Sequence, residues 1–72
     1  MIRLNETDSR TLGIIKQWQE QYRNSPMISD IARELGRHYG TARHALYRLE
    51  RKGYIDLIHI AKRTMIVPLY WE

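Results

Sequence analysis

Two apolar stripes separated by a short break set the tightest limit on how this chain can fold. In "SDIARELG" the residues Ile31, Ala32 and Leu35 recur at helical spacing, and Gly36 follows at once. In "YGTARHALYRLERKG" the positions Ala42, Ala45, Leu46 and Leu49 obey the i, i+3, i+4, i+7 rule, and Gly53 closes the run. Glycine just past a helix permits the left-handed backbone that ends it. The spacing predicts a short helix capped by Ser29, with Asp30 in its first turn, then a turn at Gly36. A second helix is predicted to begin between His38 and Gly40, with Arg51 and Lys52 in its last turn, where cations suit the helix dipole.

The flanking segments extend this frame. Upstream, Leu12, Ile15, Trp18 and Tyr22 share one helical face, widened by Ile14, with Thr7 or Asp8 expected as the cap. "RNSP" stops that helix, because Pro26 biases Ser25 away from helical backbone. Downstream the period changes from helical to alternating. "YIDLIHI" and "MIVPLYW" are rich in β-branched and aromatic residues, and "AKRT" joins them, which predicts a β-hairpin. Pro68 belongs at an edge or near a strand end. Three helices then a hairpin is an α+β order, and 72 residues are expected to form one domain, residues 1–72, with no repeat or linker. A chain of this size buries only about 60% of its unfolded surface, so its core is thin.

Composition excludes several functions. With no cysteine there are no disulfides, thiolate metal sites or cysteine nucleophiles. No apolar run approaches the roughly 20 residues that span a bilayer, and "MIRLNETDSR" is too polar for a signal peptide. The expectation is a soluble cytoplasmic protein without membrane contact. His38 and His44 do not share a helical face, and His59 falls on a strand, so no metal site is expected. Asp30 and Glu34 read as a solvated face, and the four glycines are scattered rather than gathered in a phosphate loop. Neither an enzyme nor a cofactor is expected.

Charge points to a polyanionic partner. Between Arg37 and Arg63 lie seven basic and two acidic residues, a net of +5, while the remainder nets −1. All three histidines fall in the basic part. Once alanine and leucine turn inward on the helix after Gly36, then Tyr39, Gly40, Arg43, His44 and Tyr47 must turn outward near its N-terminal half. Arg43 is the leading base reader, since a guanidinium can bridge guanine O6 and N7. His44 suits a base or a phosphate, and Gly40 and Thr41 sit where a helix N-terminus can hold phosphate. Tyr39 and Tyr47 either contact sugars or cover the base of the hairpin. Lys62 and Arg63 at the turn 61–64 are the expected hairpin contacts. Arg37 and His38, just before the helix, complete the set with Arg48. Arg48 and Arg51 have a plainer alternative, surface pairing with Glu50 or Glu34, worth under about 1 kcal/mol.

Two helices with a glycine turn and a basic hairpin resemble a winged helix-turn-helix. "IARELG" is similar to the second-helix signature of such domains. "TARHALYRLERKGYI" resembles the recognition helix and first wing strand of bacterial regulators of the GntR and MarR kind, matching at Thr41, Arg43, Ala45, Leu46, Leu49, Glu50, Gly53 and Ile55. The LexA N-terminal domain is similar through "IARELG" and "LERKGYI", although its recognition helix starts with one more residue. Pilus-operon regulators of the PapI and FaeA kind are similar in length, in Tyr39, Ala42 and Arg43, and in the final Tyr70 and Trp71. Z-DNA-binding domains are echoed in "RHALYRL" and "PLYW", but Arg43 stands where that family has asparagine.

These resemblances imply a sequence-specific regulator of bacterial, plasmid or phage type that binds double-stranded DNA. The recognition helix, about 38–52, would enter the major groove and the wing turn would touch backbone or minor groove. A homodimer or a larger DNA-binding partner would supply the remaining specificity. The competing reading is a protein-interaction module, docking through an apolar patch of Trp18, Tyr70 and Trp71.

Overall fold

Asn5 starts the first helix. Its Oδ1 accepts the Asp8 N–H at 2.7 Å, and α1 runs Glu6–Tyr22. Thr7 and Asp8, the expected caps, lie inside the first turn instead. Among adjacent polar candidates, the one whose backbone stays extended takes the capping role, and that is Asn5 at φ −72° and ψ 172°. This computed structural model describes residues 4–69, so Tyr70 and Trp71, expected at the end of the hairpin, lie outside the described residues. At its other end α1 stops ahead of Pro26. Arg23 adopts left-handed backbone (φ 56°) and its N–H reaches the Gln19 carbonyl at 2.9 Å.

The buried face of α1 is narrower than its apolar spacing predicts. Thr11, Leu12 and Ile15 are buried, but Trp18 is only half-buried and Tyr22 is 52% exposed. Those two rings cover each other, with centroids 4.7 Å apart, and the Trp18 indole N–H donates to Asn24 Oδ1 at 3.1 Å. An i, i+4 aromatic pair satisfies itself on the surface without entering the core.

The second helix, α2, runs Ile28–Leu35 and starts two residues before the position expected for it. Met27, not Ser29, is the cap, because the Asp30 carboxylate reaches back to accept the Met27 N–H at 3.0 Å. A carboxylate three residues into a helix is placed for that bond. Gly36 ends α2 at φ 67°, and the N–H groups of Gly36 and Arg37 close on the Arg33 and Ala32 carbonyls. The third helix, α3, spans Tyr39–Arg51 with His38 as its cap. Gly53 turns the chain away at φ 85°, as the spacing predicts.

Strands β1 (Ile55–Ile60) and β2 (Arg63–Pro68) pair antiparallel, with Leu57 opposite Ile66 and Ile60 opposite Arg63. The turn is therefore Ala61–Lys62, shorter than the expected 61–64. Ala61 takes φ 55°, which lets the chain reverse in two residues and releases Arg63 and Thr64 to the strand. Tyr54 precedes β1, and its carbonyl accepts the Leu69 N–H at 2.9 Å.

Two side chains clamp the edges of the hairpin. Leu57 N–H donates to Glu50 Oε2 of α3 at 3.1 Å, and Ile66 N–H donates to Ser25 Oγ at 2.8 Å. Both amides of the facing pair Leu57–Ile66 point outward, which marks it as a non-hydrogen-bonded pair. Two residues along, Pro68 faces Ile55 at the equivalent position, where a missing N–H costs the ladder nothing.

Every element contributes to one cluster. Leu12 and Ile15 meet Ile31, Ala32 and Leu35, then Ala42, Leu46 and Leu49, then Ile55, Leu57 and Ile66. Each fully buried aliphatic side chain stabilises by about 1.5–3 kcal/mol. Ala42 and Ala45, both fully buried, let α3 lie close to its neighbours, so the side of α3 away from them is left to solvent.

Candidate nucleic-acid interface

The outward side of α3 follows from its buried side. With Ala42, Ala45, Leu46 and Leu49 enclosed, Gly40, Arg43, His44, Tyr47 and Arg51 are exposed on the opposite face. The Arg43 guanidinium lies 5.8 Å from the Tyr47 ring centroid, a cation–π contact one turn along the helix. That contact extends the guanidinium along the exposed face. Further down, His44, Tyr47, Arg48 and Arg51 line one shallow concavity.

At the other end of α3, three separate stretches of chain converge. Tyr39, 52% exposed, lines a small cleft with Met27, Ile28 and Ser29 from the start of α2 and with Lys62, Arg63 and Thr64 from the hairpin. The wing turn thus stands beside the N-terminus of α3, joined through the tyrosine. Tyr39 is a bridge between the two, and Tyr47, 40% exposed, lies along α3 and away from the wing. Arg37 and His38 are exposed in the turn between α2 and α3. Gly40 is exposed at the helix start. Thr41 is half-buried, and its N–H is already committed to the His38 carbonyl at 3.1 Å, which removes one of the amides expected to hold phosphate.

Arg48 has a partner that sequence spacing does not reveal. The sequence offers it a DNA contact or, as the plainer alternative, pairing with Glu50 or Glu34; instead Nε donates to both oxygens of Asp8 at 3.1 Å and Nη2 donates to Oδ1 at 2.8 Å. Asp8 is fully buried, while the Arg48 side chain keeps 37% of its surface. Hydrogen bonding to Asp8 raises the Arg48 pKa above its ordinary value, opposed by burial and reinforced by the Asp8 charge. Glu50 is likewise committed, to the Leu57 amide. Arg51 shows no ion pair among the described residues and shares the exposed face with His44 and Tyr47. Spacing could have found it, since it stands four residues after Tyr47 and seven after His44.

Arg37, Arg43, Arg51, Lys62 and Arg63 are thus exposed cations on α3, its leading turn and the wing, and none has an ion pair among the described residues. His59 is engaged across the hairpin, its Nδ1 at 3.1 Å from Thr64 Oγ1. Among the described residues, no three His, Cys, Asp or Glu side chains gather to hold a metal, and no helix is long and apolar enough to cross a membrane.

A search of curated proteins returns no match to the chain. The family profile described as LexA DNA binding domain, however, matches residues 1–64. That match takes in α1, α2, α3, β1 and the first residues of β2, the same elements that build the exposed basic face. The helix order, the glycine turn and the two-stranded wing agree with it, and the chain belongs to the LexA DNA-binding domain family of winged helices.

Proposed function

We propose that the chain is a sequence-specific regulator of transcription that binds double-stranded DNA and performs no catalysis. The observation that carries this reading is the continuity of exposed cations along α3 with the wing turn, bridged by Tyr39. Recognition-helix geometry presents the N-terminal half of such a helix to base edges in the major groove. Arg43 and His44 are the base readers, and Tyr47 orients Arg43 through their cation–π contact. Arg37, His38, Gly40 and Arg51 approach phosphates from the turn, the helix start and the last helical turn. Lys62 and Arg63 follow the backbone into the adjacent minor groove. Arg48 serves α1 first, because leaving Asp8 would strand a buried carboxylate.

Regulation works by occupancy, with the domain excluding polymerase from its site or stabilising another factor on it. A domain this small touches few base pairs, so it acts as a pair on half-sites about 34 Å apart. The outward face of the wing supports a second copy as the partner. Ile58, Ile60 and Met65 are 40%, 56% and 42% exposed on one side of the hairpin, an apolar surface of the kind that marks association. We place this action in the cytoplasm, on the nucleoid, of a bacterium or phage-infected cell, a reading that the DNA-binding family supports.

Selection from a random duplex pool at two salt concentrations tests the proposal. A recovered consensus, with affinity that falls steeply as salt rises, is expected. Retention of every sequence alike would remove the base-reading role, and retention independent of salt would remove DNA as the partner. Two copies of a half-site in the consensus would report the pair.

A further inference from the structure

Two cations, Arg48 of α3 and Lys52 at its C-terminal cap, converge on one buried anion of α1. Asp8 is fully buried; Arg48 donates to it three times at 2.8–3.1 Å, and Lys52 Nζ stands 3.8 Å from its Oδ2. Arg48 nevertheless belongs to the rim of the exposed face, for it lines the same concavity as His44, Tyr47 and Arg51. The Lys52 side chain also keeps 27% of its surface. Both could swing toward a phosphate but for the carboxylate behind them.

We infer that Asp8 is a positioning residue for DNA recognition: it fixes α3 against α1 and withholds Arg48 and Lys52 from the phosphate backbone. This rests on the DNA-binding reading above. The physical argument is an asymmetry of burial. A phosphate offers Arg48 a new anion, but accepting it would strip the enclosed Asp8 carboxylate of its three hydrogen bonds from Arg48 and leave only Lys52 Nζ at 3.8 Å, whereas Arg43 and Arg51 abandon no buried partner. Two of the four cations within α3 and its cap, Arg48 and Lys52, are therefore held at Asp8, and only the outward pair, Arg43 and Arg51, is offered to DNA. Phosphate contacts give affinity without sequence information. Withholding two of them lowers non-specific binding more than specific binding, so a single acidic residue remote from the DNA raises discrimination.

The test is the salt dependence of binding to a short random-sequence duplex and to a duplex carrying the selected consensus. Asp8→Asn keeps the shape and removes the charge. Releasing one or two cations should steepen the log–log salt slope by about 0.9–1.8, tighten random-duplex binding, and reduce the consensus-to-random ratio. Lys52→Gln in the otherwise unaltered chain should leave the slope unchanged, because that ammonium is held toward Asp8 and meets no phosphate, and in the Asp8→Asn background it should take back part of the gain. A folded Asp8→Asn variant with the original slope would overturn the inference. So would a Lys52→Gln chain whose slope flattens by a full phosphate, and this second arm decides alone where Asp8→Asn does not fold. An unaltered chain that binds neither duplex would overturn the DNA reading itself, and the role of Asp8 with it.

Discussion

Replacing Ser25 by alanine removes the acceptor that holds the wing to the loop between α1 and α2. Ser25 Oγ takes the Ile66 N–H at 2.8 Å across 41 residues of sequence, and Ile66 is only 1% exposed. Without the hydroxyl that amide stays enclosed and unpaired, at a cost of about 1–3 kcal/mol. The opposite clamp provides the control. Glu50 accepts the Leu57 N–H at 3.1 Å, but Glu50 is itself exposed, so in Glu50→Ala water can reach the freed amide and the loss stays under about 1 kcal/mol. In a domain of this size each 1 kcal/mol moves the melting temperature by roughly 4–8 °C. A mid-range loss in Ser25→Ala therefore corresponds to a fall of about 8–16 °C, with a clearly smaller fall in Glu50→Ala. Circular dichroism melts measure both, and hydrogen exchange at Ile66 and Leu57 reports which strand opens. Ser25→Thr, which keeps the hydroxyl, should recover most of the loss. Equal melting of Ser25→Ala and the unaltered chain, or a larger fall in Glu50→Ala, would refute the burial argument.

Four further substitutions have expected outcomes. Arg43→Ala should cost about 1–3 kcal/mol of binding to the consensus and relax one base position, whereas Lys62→Ala should weaken all sequences alike and flatten the salt slope by roughly 0.9. Titration against consensus and random duplexes separates the two. Arg51→Ala should behave like Lys62→Ala in the same titrations, since its side chain is exposed on the face of α3 that carries Tyr47, without an ion pair among the described residues. Gly36→Ala should destabilise by about 1–2 kcal/mol in denaturant unfolding, because φ 67° is left-handed and nothing else crowds the site.

The parts of this fold legible in the sequence are those set by neighbours a few residues apart. Gly36, Gly53 and the alanine–leucine stripe place α2, its turn and α3 within a residue or two, because helix periodicity and left-handed glycine are local properties. Helix starts are less legible. Asn5, Thr7 and Asp8 are all competent caps, and the choice of Asn5 depends on Asp8 being drawn inward by an arginine 40 residues away. The exposed half of the candidate site was legible by subtraction, once the buried half was assigned. Arg48 was not, because its partner is distant in sequence, and neither was the convergence of Tyr39 with the wing turn, which requires the hairpin's docking to be known.

The distant contacts that sequence spacing misses are largely polar, and the thin core gives the reason. The apolar cluster touches every element but reaches α3 and the hairpin only through their inner sides. Apolar burial is nondirectional, so it brings these elements together without fixing how α3 is rotated or where along its edge the hairpin sits. Directional bonds do that: the Asp8–Arg48 contact sets α3 against α1, and Glu50 and Ser25 seize the two outward amides of one facing strand pair. On the proposed reading such fixing matters more for the DNA-binding face than for the core, since a small misplacement of Arg43 relative to Lys62 would lose the simultaneous groove and backbone contacts assigned to them. Weakening a clamp should therefore disturb discrimination between sequences before it disturbs folding. The measurable form of that claim is a Glu50→Ala chain that melts nearly as the unaltered one yet binds consensus and random duplexes with less difference between them.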